Sequence, residues 1–261
     1  SRPKERWSAR LAIRVLTFYS AMETPLMRGS QTLHKGIAVE IRQGFVRKVY
    51  SILSCQLLLT VALAAPIVFV GKQWATDHIW CYFISLALYM VVVCVTACNR
   101  ELLRTFPWNY LLLLLLTGAT SIMVGFASAM YTWKSVLLAA GMTCAVFICL
   151  TLYAWFTKTD FTGWGPYLYC CLCILVVAGW TLLFLRCFGI HIPWLMMLYD
   201  VCGVALFCAY MIYDTQCILG EWGGHQHSFQ IDDYCRAALL LYLDIIILFL
   251  HLLRLFGKRR E

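Results

Sequence analysis

The sequence predicts an all-α integral membrane protein, a bundle of seven transmembrane helices. Of its 261 residues 62% are hydrophobic and only 13% are charged, whereas a soluble domain carries about 25% charged residues. Seven apolar stretches reach the length of about 20 residues that a helix needs to cross a bilayer. Because lipid cannot hydrogen-bond to backbone groups, each stretch must satisfy them internally and is expected to be helical.

Glycine, proline and charged residues separate the seven stretches. Pro107 and Pro193 suit the first turns of the third and sixth spans, where an amide hydrogen would be unpaired in any case. The connections are short except for 220–233. The predicted spans are 49–70, 79–98, 106–129, 135–156, 164–185, 193–219 and 234–256.

These spans predict one transmembrane domain over residues 46–257. We expect a basic, poorly ordered segment over 1–45 before it and a short basic C-terminal tail over 258–261 after it. No signal peptide is apparent, because residues 1–40 lack a continuous apolar core.

Basic residues indicate the orientation. Ten of the 21 Lys and Arg lie before residue 49, and basic residues collect on the cytosolic side of membrane spans. A cytosolic N-terminus places 14 of them on the cytosolic side and 7 on the other. The basic C-terminus then lies on the less basic side, so either seven helices cross or one stretch does not cross; we favour seven crossings. The net charge of +8 thus reflects the membrane, and no nucleic-acid partner is expected.

The fourteen cysteines do not predict a metal site or a disulfide framework. Most of them lie inside apolar runs, where cysteine behaves as a small hydrophobic residue. The cluster of Cys170, Cys171 and Cys173 lacks the paired spacing and histidine partners of a zinc site. We therefore expect no bound cofactor.

Three aspartates lie within the predicted spans: Asp200, Asp214 and Asp244. A charged Asp at mid-bilayer costs roughly 2.5–3.5 kcal/mol, so such residues usually face the bundle interior and serve a function. Asp200 lies near the start of its span, can reach the interface, and is assigned a structural role. Asp214 and Asp244 lie in the cytosolic halves of two consecutive spans, at similar depth given the rise of about 1.5 Å per residue.

Consecutive helices are usually neighbours, so these two carboxyls are expected to meet. Two carboxyls in a dry site cannot both ionise easily and tend to share one proton. Such a pair can sense pH, bind a divalent cation or perform acid–base chemistry. The alternative is that each Asp caps a helix or bonds elsewhere.

Other polar residues are candidates for supporting roles. Arg100 and Arg104 stand on one helical face at the cytosolic end of the second span, either as partners of the aspartates or as ordinary membrane anchors. His251 is expected to be a satisfied core histidine, and His225 and His227 are expected to be solvated.

Five segments of the sequence resemble the transmembrane Bax inhibitor motif family, and in particular its Lifeguard (glutamate-receptor-associated) branch. The resemblance covers about residues 42–257, and the last two segments are the most specific. The segments are FVRKVYSILSCQLLLT (45–60), RTFPWN (104–109), LTLYAWFTKTDFT (150–162), IYDTQ (212–216) and DDYCRAALLLYLDIIILFLHLLRLF (232–256).

The resemblance implies a bundle of six helices around a central seventh, with calcium leak across endoplasmic reticulum, Golgi or plasma membranes and restraint of cell death. It implies that Asp214 and Asp244 match the family's pH-sensing pair. It also implies that an arginine, with Arg104 a better match than Arg100, pairs with Asp214 in one gating state. The family usually has Asn three residues after the second aspartate, where this chain has Ile247, so the pair is expected to be drier here.

The leading hypothesis is therefore a pH-sensitive calcium leak channel, with the bilayer, transient calcium at the two aspartates and other cell-death proteins as partners. One alternative is a non-conducting scaffold for cell-death proteins. A di-aspartyl intramembrane protease also has a Tyr-Asp pair, but it needs Gly-x-Gly-Asp at the second site, where this chain has the bulky Leu241-Tyr242-Leu243-Asp244. We expect no enzymatic activity.

Overall fold

The structure, a computed structural model, describes residues 3–190, 192–225 and 228–260, with the side chains of 3–35, Ala97, Arg100 and Glu221 outside the described part. All regular elements in these ranges are helical. The α-helices are α1 (Pro3–Val70), α2 (Lys72–Asp77), α3 (Ile79–Cys98), α4 (Trp108–Ala129), α5 (Trp133–Phe156), α6 (Gly165–Cys187), α7 (Pro193–Leu219) and α8 (Tyr234–Phe256).

Seven segments among the described residues are long and apolar enough to cross a membrane. They are Gly36–Val70 within α1, Ile79–Thr96, Trp108–Ala129, Trp133–Phe156, Thr162–Cys187, Pro193–Leu219 and Ile231–Phe256. The predicted all-α, seven-span membrane fold is thereby confirmed. The helices end at the predicted residues because charges, glycines and prolines interrupt the apolar runs there.

The chain divides into two compact units, residues 1–44 and 45–261. In the first unit, most of the side chains lie outside the described part. The predicted weak order of residues 1–45 and the predicted domain limits therefore stay predictions. The second unit contains the apolar core and every site discussed below.

The last helix is one of the two most buried spans. In the spans of α4 and α8, 61% of the most apolar 18-residue stretch is buried, against 28% or less of that stretch in the other five spans. Helix α8 contacts α4, α5 and α7, and its small side chains Ala237 and Ala238 are completely buried. The central place that the family resemblance implies for the last helix stays a prediction.

Loop contacts at one end of the bundle agree with an even number of crossings by the last four spans. The amide of Thr132, between α4 and α5, donates to the carbonyl of Lys258, and the amide of Arg260 donates to the carbonyl of Met130. The tail after α8 therefore lies beside the α4–α5 connection. If α5, α6, α7 and α8 each cross the membrane, the chain returns to the side of the α4–α5 connection. The seven-span arrangement therefore places the tail on that side. We call this end the C-side, and the opposite end, with the α3–α4, α5–α6 and α7–α8 connections, the N-side.

A glycine sets the close approach of α1 and α4. A Cβ atom at Gly125 would lie 2.8 Å from Cδ1 of Ile67 and 3.2 Å from the backbone Cα of Ala64. A Cβ at Gly118 on the same helix would meet nothing within 4 Å. The two glycines therefore form a matched pair for testing the helix packing.

We expect Gly125→Ala to destabilise the folded protein by about 1–3 kcal/mol, because a methyl group forced into a filled contact shifts the backbone of α1. Gly118→Ala should leave stability unchanged or raise it slightly, since Ala is the better helix former. Thermal unfolding in detergent measures both. Equal midpoints for the two variants would contradict the close α1–α4 approach.

Candidate functional site

Helices α7 and α8 bring Asp214 and Asp244 together in the interior. The two residues are 4% and 6% exposed, and their side chains hydrogen-bond to each other. Two carboxyls in contact in a dry site cannot both ionise easily, so this placement suits a pair that shares one proton. The second carboxyl oxygen of Asp244, Oδ2, is buried and has no hydrogen-bond partner.

The connection between α7 and α8 turns sharply directly after α7. Gly220, which follows the last residue of the helix, has φ of +55°, a backbone conformation that glycine adopts without steric cost. The chain then returns as α8, which packs against α7. The predicted meeting of the two carboxyls is thus found, and it results from the antiparallel packing of consecutive spans.

Polar contacts on a different face of α8 support this orientation. The hydroxyl of Tyr242 hydrogen-bonds with Thr60 Oγ1 of α1 at 2.8 Å, and Gln56 Nε2 of α1 donates to Thr117 Oγ1 of α4 at 3.0 Å. Tyr242 is completely buried. Because residues two apart on a helix point in different directions, the Tyr242 contact toward α1 leaves Asp244 directed toward α7.

Ile247 lies one turn after Asp244 and packs against the apolar core. This apolar contact agrees with the expectation that the surroundings of the pair are dry.

A cationic side chain that acts on Asp214 was not predicted as its partner. Arg236, in the first turn of α8, interacts electrostatically with Asp214 and with Tyr213. Tyr210, one turn before Asp214, lies near both carboxyls. The sequence spacing indicates that Arg236 lies on the same face of α8 as Asp244. Arg236 precedes Asp244 by eight residues, and positions seven or eight apart share a helix face.

Arg104 forms an ion pair, but with Asp233 rather than with Asp214 in this conformation. Its Nε donates to Asp233 Oδ1 at 2.7 Å and its Nη2 donates to Asp233 Oδ2 at 3.0 Å. Nη2 also donates to Gln230 Oε1 at 3.0 Å. This fork ties the α3–α4 connection to the start of α8. The pairing of Arg104 with Asp214 in another state stays a prediction, and the side chain of Arg100 lies outside the described residues.

The α5–α6 connection is also joined to the last turn of α7 on the N-side. Gln216 Nε2 donates to the carbonyl of Thr159 at 2.9 Å, and the amide of Phe161 donates to Gln216 Oε1 at 2.7 Å. Gln216 lies two residues after Asp214, so these bonds fix the end of α7 that carries the pair.

The expectation that His225 is solvated is wrong. The residue is 4% exposed, neither ring nitrogen has a hydrogen-bond partner, and Nδ1 lies 3.6 Å from Asp160 Oδ1. Its position against Gly223 explains the burial, since a Cβ on that glycine would lie 2.8 Å from the imidazole ring. His227 lies outside the described residues.

The third buried aspartate lies about 20 Å along α7 from Asp214, given the rise of about 1.5 Å per residue. Asp200 Oδ1 accepts a hydrogen bond from Arg254 Nε at 2.7 Å and lies 2.9 Å from His251 Nδ1. His251 is 2% exposed. The expected structural role of Asp200 and the expected satisfied core histidine agree with these contacts.

Within the described residues, no group of three or more His, Cys, Asp or Glu side chains is placed to hold a metal ion. The pair itself offers two carboxyls, one of them with a free oxygen. This arrangement can share a proton or make brief contact with a cation.

Comparison with known proteins identifies the family. A family model described as inhibitor of apoptosis-promoting Bax1 matches residues 42–261. The chain belongs to this Bax inhibitor family. The match contains both aspartates, Arg104, Asp233 and Arg236.

Two curated relatives place the chain in the Lifeguard branch of the Bax inhibitor family. Human "Protein lifeguard 3" is 37% identical over 222 residues, which are 84% of this chain and 70% of the relative. "Protein LIFEGUARD 4" of Arabidopsis thaliana is 35% identical over 247 residues, which are 90% of this chain and 94% of the relative. The predicted family membership is confirmed.

The burial of His225 predicts how acid affects the N-side loops of this Bax inhibitor family member. Burial lowers the pKa of His225 from its ordinary value of 6.5, with Asp160 partly opposing the shift. When the loop opens and exposes His225 to solvent, the imidazole takes up a proton below about pH 6.5, whereas the buried imidazole of the closed loop resists protonation. The free energy that favours the closed loop therefore falls by up to about 1.4 kcal/mol per pH unit. Amide-exchange protection factors over residues 220–225 should fall between about pH 7.5 and pH 5.5.

In His225→Gln this pH dependence should disappear, because the opened and closed loops then bind the same number of protons. Protection that rises on acidification would contradict the expectation and would indicate a protonated His225 paired with Asp160.

Proposed function

We propose that this Bax inhibitor family member is a pH-sensitive cation leak channel, with calcium as its main permeant ion. The observation that carries the proposal is the buried hydrogen bond between Asp214 and Asp244. A buried carboxyl pair with one proton is a device whose charge changes on loss of that proton. Such a group inside a membrane bundle marks an ion or proton pathway more often than a structural element.

Protonation keeps the pathway closed. With the shared proton in place, the hydrogen bond holds α7 against α8 and the pair carries a single negative charge. Loss of the proton leaves two adjacent carboxylates that repel each other in a medium of low dielectric constant. This repulsion separates the two helices and gives a permeant cation two carboxylates to contact.

Calcium suits these carboxylates because hard cations prefer oxygen ligands. Binding is transient, since two carboxylates supply fewer ligands than the six to eight that a tight calcium site contains. Conduction needs such weak binding, because an ion that binds tightly does not leave. No resident cofactor has a part in this mechanism.

Arg104 acts as the gating arginine. In the closed state it binds Asp233, the residue directly before α8. Movement of α8 away from α7 breaks this ion pair and frees the guanidinium to neutralise Asp214, as the family resemblance implies. Arg236 lies near Asp214 while α8 packs against α7, and its charge favours ionisation of the pair.

A role in restraint of cell death, in the endoplasmic reticulum or Golgi with the plasma membrane as an alternative, completes the proposal. The description of the matching family, inhibitor of apoptosis-promoting Bax1, supports this role. The second candidate is a non-conducting scaffold for other cell-death proteins, which the same description favours.

Proteolysis is not proposed. Leu241 and Tyr242, directly before Asp244, are completely buried. They stand where such a protease needs small residues before its second aspartate. We therefore propose no enzymatic activity.

Flux of calcium into dye-loaded liposomes tests the proposal. For the wild-type protein we expect flux to rise as pH increases from roughly 5 to 8, because the pair then loses its shared proton. Asp214→Asn and Asp244→Asn should each flatten this pH dependence, and the double variant should resemble the singles because the two residues act as one unit.

Asp77→Asn is the matched control, since Asp77 is exposed on α2 at the far end of the bundle; it should keep the wild-type pH profile. Folded wild-type protein without calcium flux at any pH would refute the channel and favour the scaffold. Flux that ignores pH would refute the sensor.

Arg236→Gln should move the midpoint of the flux profile to higher pH, because removing a nearby cation makes ionisation of the pair less favourable. Arg236→Lys should restore most of the wild-type midpoint. A midpoint that moves to lower pH in Arg236→Gln would contradict the placement of this cation beside Asp214.

A further inference from the structure

A cavity of about 470 Å³ lies at the C-side end of α6, α7 and α8. It is separate from the aspartate pair, and its size falls in the range of about 300–1,000 Å³ that is typical of ligand sites. Trp180, Leu183 and Val176 of α6 form its apolar part, and Arg186, Arg254 and Tyr199 contribute to its polar part.

The apolar part faces lipid. Trp180 and Leu183 are 67% and 53% exposed, and exposed apolar residues of a membrane span contact acyl chains. Gly179 permits the hydroxyl of Tyr199 to approach α6, because a Cβ at that position would lie 2.9 Å from the Tyr199 oxygen. The cavity thus combines a wall for hydrocarbon with a polar end near the membrane surface.

The polar end holds one arginine in a fixed position. Arg254 Nε donates to Asp200 Oδ1 at 2.7 Å, and Nη2 lies 2.8 Å from His251 Nδ1. The guanidinium also lies over the Tyr199 ring, 5.9 Å from its centroid. Among the described residues its remaining nitrogen, Nη1, has no hydrogen-bond partner, so a preorganised donor remains available on an exposed side chain.

A second arginine lines the same cavity. Arg186 lies in the last turn of α6, and within the described part of the chain its guanidinium forms no hydrogen bond or ion pair. The two arginines and Asp200 together give the lining a net charge of +1. This charge repels a metal cation, and the carboxylate of Asp200 is already bonded to Arg254, so the polar end is suited to an anion.

We propose that this cavity binds the phosphate group of a membrane phospholipid. Arg186 and Arg254 donate to the phosphate oxygens, and an acyl chain lies along Trp180 and Leu183. Arginine is the residue best matched to phosphate, because its planar donors contact two oxygens at once. The exposed apolar wall favours a lipid over a free phosphate ion, because a phosphate ion has no hydrocarbon to contact this wall.

Native mass spectrometry of the purified full chain tests this inference. Dioleoyl phosphatidic acid and dioleoylglycerol, which share their acyl chains and differ in the phosphate, are titrated in separate experiments. We expect the wild-type chain to bind the phospholipid at least tenfold more tightly than dioleoylglycerol. Arg186→Gln should weaken the first phospholipid adduct about tenfold, since it removes a charge-assisted hydrogen bond, and should leave dioleoylglycerol binding unchanged.

Lys134→Gln is the control, because Lys134 begins α5 on the same side of the membrane and does not line the cavity. It should bind phospholipid like the wild type. Arg186→Lys should recover part of the affinity. Equal wild-type affinity for the two lipids, or equal losses in Arg186→Gln and Lys134→Gln, would overturn the proposal. Displacement of the phospholipid by inorganic phosphate at equal concentration would overturn the assignment to a lipid.

Discussion

The contact between the buried carboxyls of Asp214 and Asp244, which we propose share one proton, is the constraint on which the rest of this structure depends. Each ionised carboxyl placed at mid-membrane costs roughly 2.5–3.5 kcal/mol, and two in contact also repel each other. A single proton converts that repulsion into a hydrogen bond between α7 and α8. The contact between the last two helices therefore depends on the protonation of a group that both helices contribute.

Helix α8 is attached at three levels, and the aspartate pair is the middle one. On the N-side its first turn adjoins Asp233, which Arg104 binds from the α3–α4 connection. On the C-side Arg254 binds Asp200 of α7. Separation of α7 and α8 at the aspartate pair can leave the Arg254–Asp200 contact intact while it breaks the Arg104–Asp233 contact. A hinge near the C-side end of α7 and α8 is the motion that this distribution of ion pairs favours.

The fold could be predicted from sequence because the bilayer imposes a simple rule on it. Apolar runs of sufficient length must become helices, and the ends of α4, α5, α7 and α8 agree with the predicted ones. The aspartate pair could also be predicted, since consecutive antiparallel spans place residues of similar depth side by side. Both inferences depend on local pattern and depth alone.

The contacts among loops could not be predicted, because they join residues far apart in the chain. Arg104 is expected to pair with Asp214 in one gating state, and in this conformation it binds Asp233. His225 appeared to be an ordinary loop histidine, and only the packing of Gly223 against its ring shows why it is buried. Arg236 was not predicted as a partner of the aspartates, although its spacing from Asp244 placed it on the same face of the helix.

The most direct test of the central claim is infrared difference spectroscopy of the purified protein in lipid, titrated over roughly pH 5 to 8. A protonated carboxyl group has a C=O stretch that an ionised carboxylate lacks. The wild-type protein should lose the intensity of one protonated carboxyl as pH rises, and that change should be absent in Asp244→Asn. A wild-type spectrum without any protonated carboxyl at the acidic end, or an identical change in Asp244→Asn, would contradict the shared proton.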